Sequence, residues 1–205
     1  MDADPFVRPD SIVRRIWGDA DVVLLVFAGA AAEFALSRAA DWLFVTGALP
    51  RDPLGRLFAT AAVAREIAPG ARDRAERALA GIRAAHAAVE RRRGGHIPDR
   101  AHRAVLYLLV DYSERAFETL HRCLTPAERE ELYDVFRRVG AGLGLRQVQA
   151  ALAPAPVRAL LGLPRRPWAA GVLPLYPVLR LLVPPAHLAA VRRLDEPAGR
   201  PGSER

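Results

Sequence analysis

The stretch IRAAHAAVERRRGG, from Ile82 to Gly95, decides how this chain reads. Alanines fill it, arginines close it and a glycine pair stops it, which is the composition of a helix and its C-terminal end. Extended backwards it gives the longest uninterrupted helical segment of the chain, Ala71 to Arg93. One histidine, His86, stands inside it. On a helical period His86 falls in line with Leu79, Ile82 and Val89, so it points with the apolar stripe. Its neighbours Ala84, Ala85, Ala87 and Ala88 are all small, which leaves room for something flat and wide to approach the helix.

The segments around it repeat the helical pattern. SIVRRIWG (Ser11 to Gly18) is a short amphipathic opener with Ser11 as its N-cap. A strongly apolar helix follows from Asp21 to about Ser37. Asp52-Pro53 is a start signal, a capping aspartate before a proline at the first helical position, for a helix to about Ala68 that Pro69-Gly70 stops. Pro98-Asp99 opens a helix to about Cys123. Its middle, AVLYLLV (Ala104 to Val110), is apolar on every side, which predicts burial at the centre of the fold. Thr125-Pro126-Ala127-Glu128 is a capping box that starts a helix ending near Gly140.

Prolines then cut the last third into short pieces. VLPLYPVLRLLV (Val172 to Val183) reads as a strap packed on the helical core, and the polar stretch from Glu196 as a disordered tail. No strand alternation, internal repeat or glycine-rich phosphate loop occurs. The expected fold class is all-α: one irregular helical bundle with a proline-broken C-terminal strap, a single domain over residues 1–195 and a tail over 196–205.

Composition sets the outer limits. With 205 residues, 51 % of them hydrophobic, a packed core is expected. The only cysteine, Cys123, excludes an intramolecular disulfide and a Cys-only metal site. The early apolar run Val22 to Ala32 stops at Glu33, short of the roughly 20 residues that cross a bilayer. No secretion signal opens the chain, so a cytoplasmic protein is expected. The strap permits contact with a membrane surface, as a lesser expectation. The net charge of +7 suggests nucleic acid, but every basic residue is arginine and most are scattered among Asp and Glu. The denser groups, Arg91 to Arg93 and Arg165 with Arg166, are short and lack interleaved aromatics as stacking platforms. No nucleic-acid partner is expected.

Three features carry candidate chemistry. A neutral imidazole in an apolar wall needs a partner for each nitrogen; for His86 a haem iron could take one, and the plainer alternative is a core histidine satisfied by hydrogen bonds. His96 and His102 flank a helix start, where exposed polar residues are ordinary. In RLFAT, Arg56 and Thr60 are four apart and project from one helical face that Val63 and Ile67 continue, so the pair is expected to be partly buried. An inward-facing arginine needs an anion: a haem propionate, a substrate carboxylate, or one of the chain's own, such as Asp41. Glu118 and His121 form one Glu-x-x-His, half of the ligand set of a di-iron carboxylate bundle whose other half the chain lacks. Asp111 and Arg115, one turn apart, most simply pair with each other.

Arg56, Thr60 and His86 together resemble the Arg-x-x-x-Thr … His signature of the family that joins the latex-clearing rubber oxygenases to the mycophenolic-acid pathway oxygenase. The likeness extends over SIVRRIWGDADVVLL, GRLFAT, IRAAHAAVE and the C-terminal LLGLP, most of the chain. It implies an all-α protein binding b-type haem and using O2 to cleave carbon–carbon double bonds in isoprenoid chains. It further implies that His86 is the proximal iron ligand and that Arg56 and Thr60 line the haem pocket. Relatives with a further histidine in a Trp-Val-His-like string differ here, since VLYLLVDYS has none, and no catalytic base is assigned. The function expected is a haem-dependent oxygenase acting with O2 or peroxide on a hydrophobic small molecule. The alternatives are a non-catalytic haem or apolar-ligand binder, and a di-iron protein.

Overall fold

The computed structural model describes residues 5–35, 53–68 and 70–145, and the side chains of 5–30, 59–68 and 70–145 among them. The Val172–Val183 strap, the tail, His187 and Asp41 lie outside the described residues. Within them the chain forms α1 (Ile12–Gly18), α2 (Ala20–Ala35), α3 (Pro53–Ile67), α4 (Arg72–Arg93), α5 (Asp99–Leu120) and α6 (Pro126–Gly142). Among the described residues there is no strand beyond an isolated bridge between Pro5 and Ala71. The fold is an all-α bundle.

Local chemistry sets the helix ends. The Ser11 hydroxyl accepts from the Val13 N–H at 3.1 Å and opens α1. Asp19 Oδ1 accepts from the N–H groups of Asp21 and Val22 at 2.9 and 3.1 Å, and so caps α2. Gly94 takes φ 69°, the left-handed conformation that ends α4, with its N–H on the Glu90 carbonyl. At α6 the capping box is complete: Thr125 Oγ1 accepts from the Glu128 N–H, and a Glu128 carboxylate oxygen accepts from the Thr125 N–H.

The centre of the bundle is α2 against α5, the most extensive helix contact. Val22, Val23 and Val26 of α2 are fully buried, as are Leu106, Leu108, Val110, Ala116 and Phe117 of α5. Gly29 is the point of closest approach: a Cβ built there would overlap the ring of Tyr112. Trp17 of α1 joins the two ends of the core, with its ring edge-on to Phe27 at 5.7 Å and tilted against Phe136 of α6 at 5.8 Å. Helix α6 is tied to α5 by Arg129, which donates to Glu114 and Glu118 at 2.6 Å each.

Helix α4 lies at the edge, packed on α3 and α6 but not closely on α5, its neighbour in sequence. Ala75, Leu79 and Ile82 hold its N-terminal half to the core. Leu79 presses on Gly142, whose carbonyl accepts from Arg83. Beyond Ile82, Ala84, Ala85 and Ala88 are exposed, while His86, Ala87, Val89 and Glu90 are half-buried.

Two outcomes test this packing. Gly29→Val should destabilise the fold by about 1–3 kcal/mol, because the Tyr112 ring cannot retreat from an added side chain without moving α5; urea unfolding followed by circular dichroism measures it. Glu128 is held at a pKa of about 2, below its ordinary 4.5, chiefly by the Arg122 guanidinium and then by the Thr125 N–H. A carboxylate more acidic in the folded state stabilises it above the unfolded pKa, and that contribution is lost as pH falls from about 4.5 toward 2. Glu128→Gln should therefore flatten the acid limb of the stability curve across that window while leaving the slope above pH 6 unchanged.

Candidate functional site

The turn between α4 and α5 places two histidines opposite each other. His86 lies eight residues before Gly94 and His102 eight residues after it, so an antiparallel hairpin brings them level. Their rings stack, with centroids 4.6 Å apart and planes inclined by 24°. Both residues are half-buried. Since α4 and α5 do not pack closely, this pair of imidazoles spans a space that two core helices would fill with interlocked aliphatic side chains.

Glu90 staples the turn beside the pair. Its Oε1 accepts from the Ile97 N–H at 2.8 Å and pairs with Nδ1 of the exposed His96 at 2.7 Å. His102 departs from the ordinary exposed polar residue expected at a helix start. Its Nε2 is buried and has no hydrogen-bond partner. Burial lowers its pKa below the ordinary 6.5; Glu90 and Asp99 oppose that shift and His96 adds to it. His86 sits where its apolar period predicted, between buried Leu79 and half-buried Val89. Its exposed alanine neighbours leave the helix surface open at its level.

Helix α3, which carries RLFAT, packs against α4, so the fold brings the two parts of the signature onto neighbouring helices. Thr60 is exposed, a correction to the partial burial expected of it. Further along the predicted face Val63 is half-buried and Ile67 buried, and Ala61 and Arg65 on the adjacent stripe are buried as well. Among the described side chains of α3, Arg65 is a buried arginine; the side chain of Arg56 lies outside the described residues.

The remaining candidates take structural roles. Glu118 accepts from the Leu124 N–H at 2.9 Å and from Arg129. His121 turns instead to Asp19, with Nε2 2.9 Å from Oδ2, and joins the end of α5 to the start of α2. The two halves of Glu-x-x-His thus engage separate partners. Arg115 donates to Asp111 at 2.7 Å, the pairing expected from their spacing. Among the described residues no cluster of three or more His, Cys, Asp or Glu side chains could hold a metal ion. A metal at the His86 level would draw few ligands from the described residues, and a porphyrin would supply the others. The residues present fit that group: one imidazole flanked by small residues, beside a second whose buried Nε2 has no hydrogen-bond partner among the described residues.

His102 escaped sequence reasoning because position relative to a helix start predicts exposure, not what the opposite helix brings. The legible signal was symmetry, with His86 and His102 equidistant from Gly94.

No helix among the described residues is long and apolar enough to cross a membrane. A family model described as "ER-bound oxygenase mpaB/B'/Rubber oxygenase, catalytic domain" matches residues 14–149, well over half of the chain. No curated protein and no solved structure matches it.

Proposed function

The chain belongs to the mpaB and rubber oxygenase catalytic-domain family, and from that premise we propose that it is a haem-dependent oxygenase acting on a hydrophobic, isoprenoid-like small molecule with O2 or peroxide. The carrying observation is the family match over the helices that present His86, together with the position of that imidazole on the open flank of α4.

His86 is the residue proposed to hold a b-type haem, through one nitrogen of its neutral ring. The haem, when bound, supplies the oxidative chemistry. The protein supplies the rest. The alanines around His86 let a planar group lie near the helix without displacing side chains. Ile82 and Val89, one turn to either side of His86, give that surface an apolar lining that sheds water. Arg56 and Thr60, on the helix packed against α4, are proposed to meet the polar edge of the group, the arginine as partner for a carboxylate. A substrate without charge suits this arrangement, since binding would come from apolar area and not from ion pairing.

Protein purified after expression with ample haem should show a Soret band and convert members of a terpenoid panel to oxygenated products. His86→Ala should lose the band while retaining the helical circular dichroism of the parent. Arg56→Ala and Thr60→Ala should each weaken haem retention, by about tenfold where the side chain orients the group. Absence of porphyrin from the parent, or an unaltered Soret band in His86→Ala, would overturn the reading. Haem without product formation would assign the chain to ligand binding without turnover.

A further inference from the structure

The stacked histidines support a second step, which rests on the reading of His86 as the haem-holding residue. We propose that His102 is a positioning residue that sets the plane of the His86 ring by stacking against its face.

A histidine side chain is only loosely fixed beyond its Cβ. Rotation about its outer torsion is broad, so an imidazole on a helix flank is not held in one plane by its own rotamer. Metal-bound histidines are usually oriented by partners in the surrounding protein, and losing such a partner weakens metal affinity. Here a ring is one such partner. The centroid separation of 4.6 Å and the small angle between planes put the His102 face across the His86 face, so turning His86 about its outer torsion would drive it into its neighbour. His102 is itself placed by α5, a central helix of the bundle, with Ala101 and Ala104 buried on either side of it. Its Nε2 makes no hydrogen bond among the described residues. The ring face is therefore the part of His102 that meets His86, and a phenyl ring is its proper substitute.

Two variants separate the ring from its volume. His102→Phe keeps an aromatic face; His102→Leu keeps an apolar side chain without one. In the haem-free protein, the carbon-bound ring protons of His86 should show upfield ring-current shifts, retained in His102→Phe and lost in His102→Leu. In haem-loaded protein, the electron paramagnetic resonance anisotropy of the ferric form should follow the same order. Haem affinity should fall by about tenfold in His102→Leu and recover in His102→Phe. A His102→Leu protein with parental His86 shifts, or with parental affinity and anisotropy while His86→Ala binds no haem, would overturn the brace and leave the haem reading standing. Parental haem binding by His86→Ala would instead overturn the haem reading, and with it the positioning role.

Discussion

The contact on which the bundle depends is the meeting of α2 and α5 at Gly29 and Tyr112. A side chain at Gly29 would collide with the Tyr112 ring, so glycine is what allows the two most buried helices to close on each other. From that contact the other packing follows. The buried valines of α2 face α5, Trp17 seals one end between Phe27 and Phe136, and Arg129 ties α6 to the outer side of α5. Among the described residues, the buried core draws on the first half of α4, through Ala75 and Leu79. A segment released from core packing can carry residues chosen for something other than stability.

Helix α4 can do this because of its composition. It runs for 22 residues and is rich in alanine, the residue with the strongest helix propensity. Asp73 and Arg77 pair one turn apart at 2.8 Å near its start, and the left-handed Gly94 closes its end. Such a helix keeps its form where tertiary contacts thin out beyond Ile82. His86 stands in that thinner part. Its stripe partners Leu79 and Ile82 fix the rotation of the helix, and therefore the direction of His86, from the packed half.

Much of this was legible because local signals governed it. Ser11, Thr125 with Glu128, and Gly94 act within one turn of their own position, so the residue type at the right offset was sufficient. The apolar middle of α5 marked the central helix for the same reason. Asp19 was a cap of the same kind; its two N–H partners lie at the second and third residues beyond it. What could not be read this way was relational. Thr60 is exposed although Val63 and Ile67 on its own face are half-buried and buried, so burial along that face changes within two turns, which the helical period alone does not show. His102 is half-buried because the hairpin closes it onto His86, across sixteen residues of sequence. The fold class needed only periodicity; the site needed the register between two helices.

The excess of arginine also finds its place in this scheme. Arg129 is shared between Glu114 and Glu118, Arg122 holds Glu128, Arg115 holds Asp111, and Arg8 reaches Glu131. Arg91, Arg92 and Arg93 sit in the last turn of α4, where cations meet the negative end of the helix dipole. Among the described residues, these arginines serve as helix ties and helix-end partners. At the level of His86 the flanking residues are alanine, isoleucine and valine. The haem proposed for His86 would therefore lie against small apolar side chains and bring its own polarity to them.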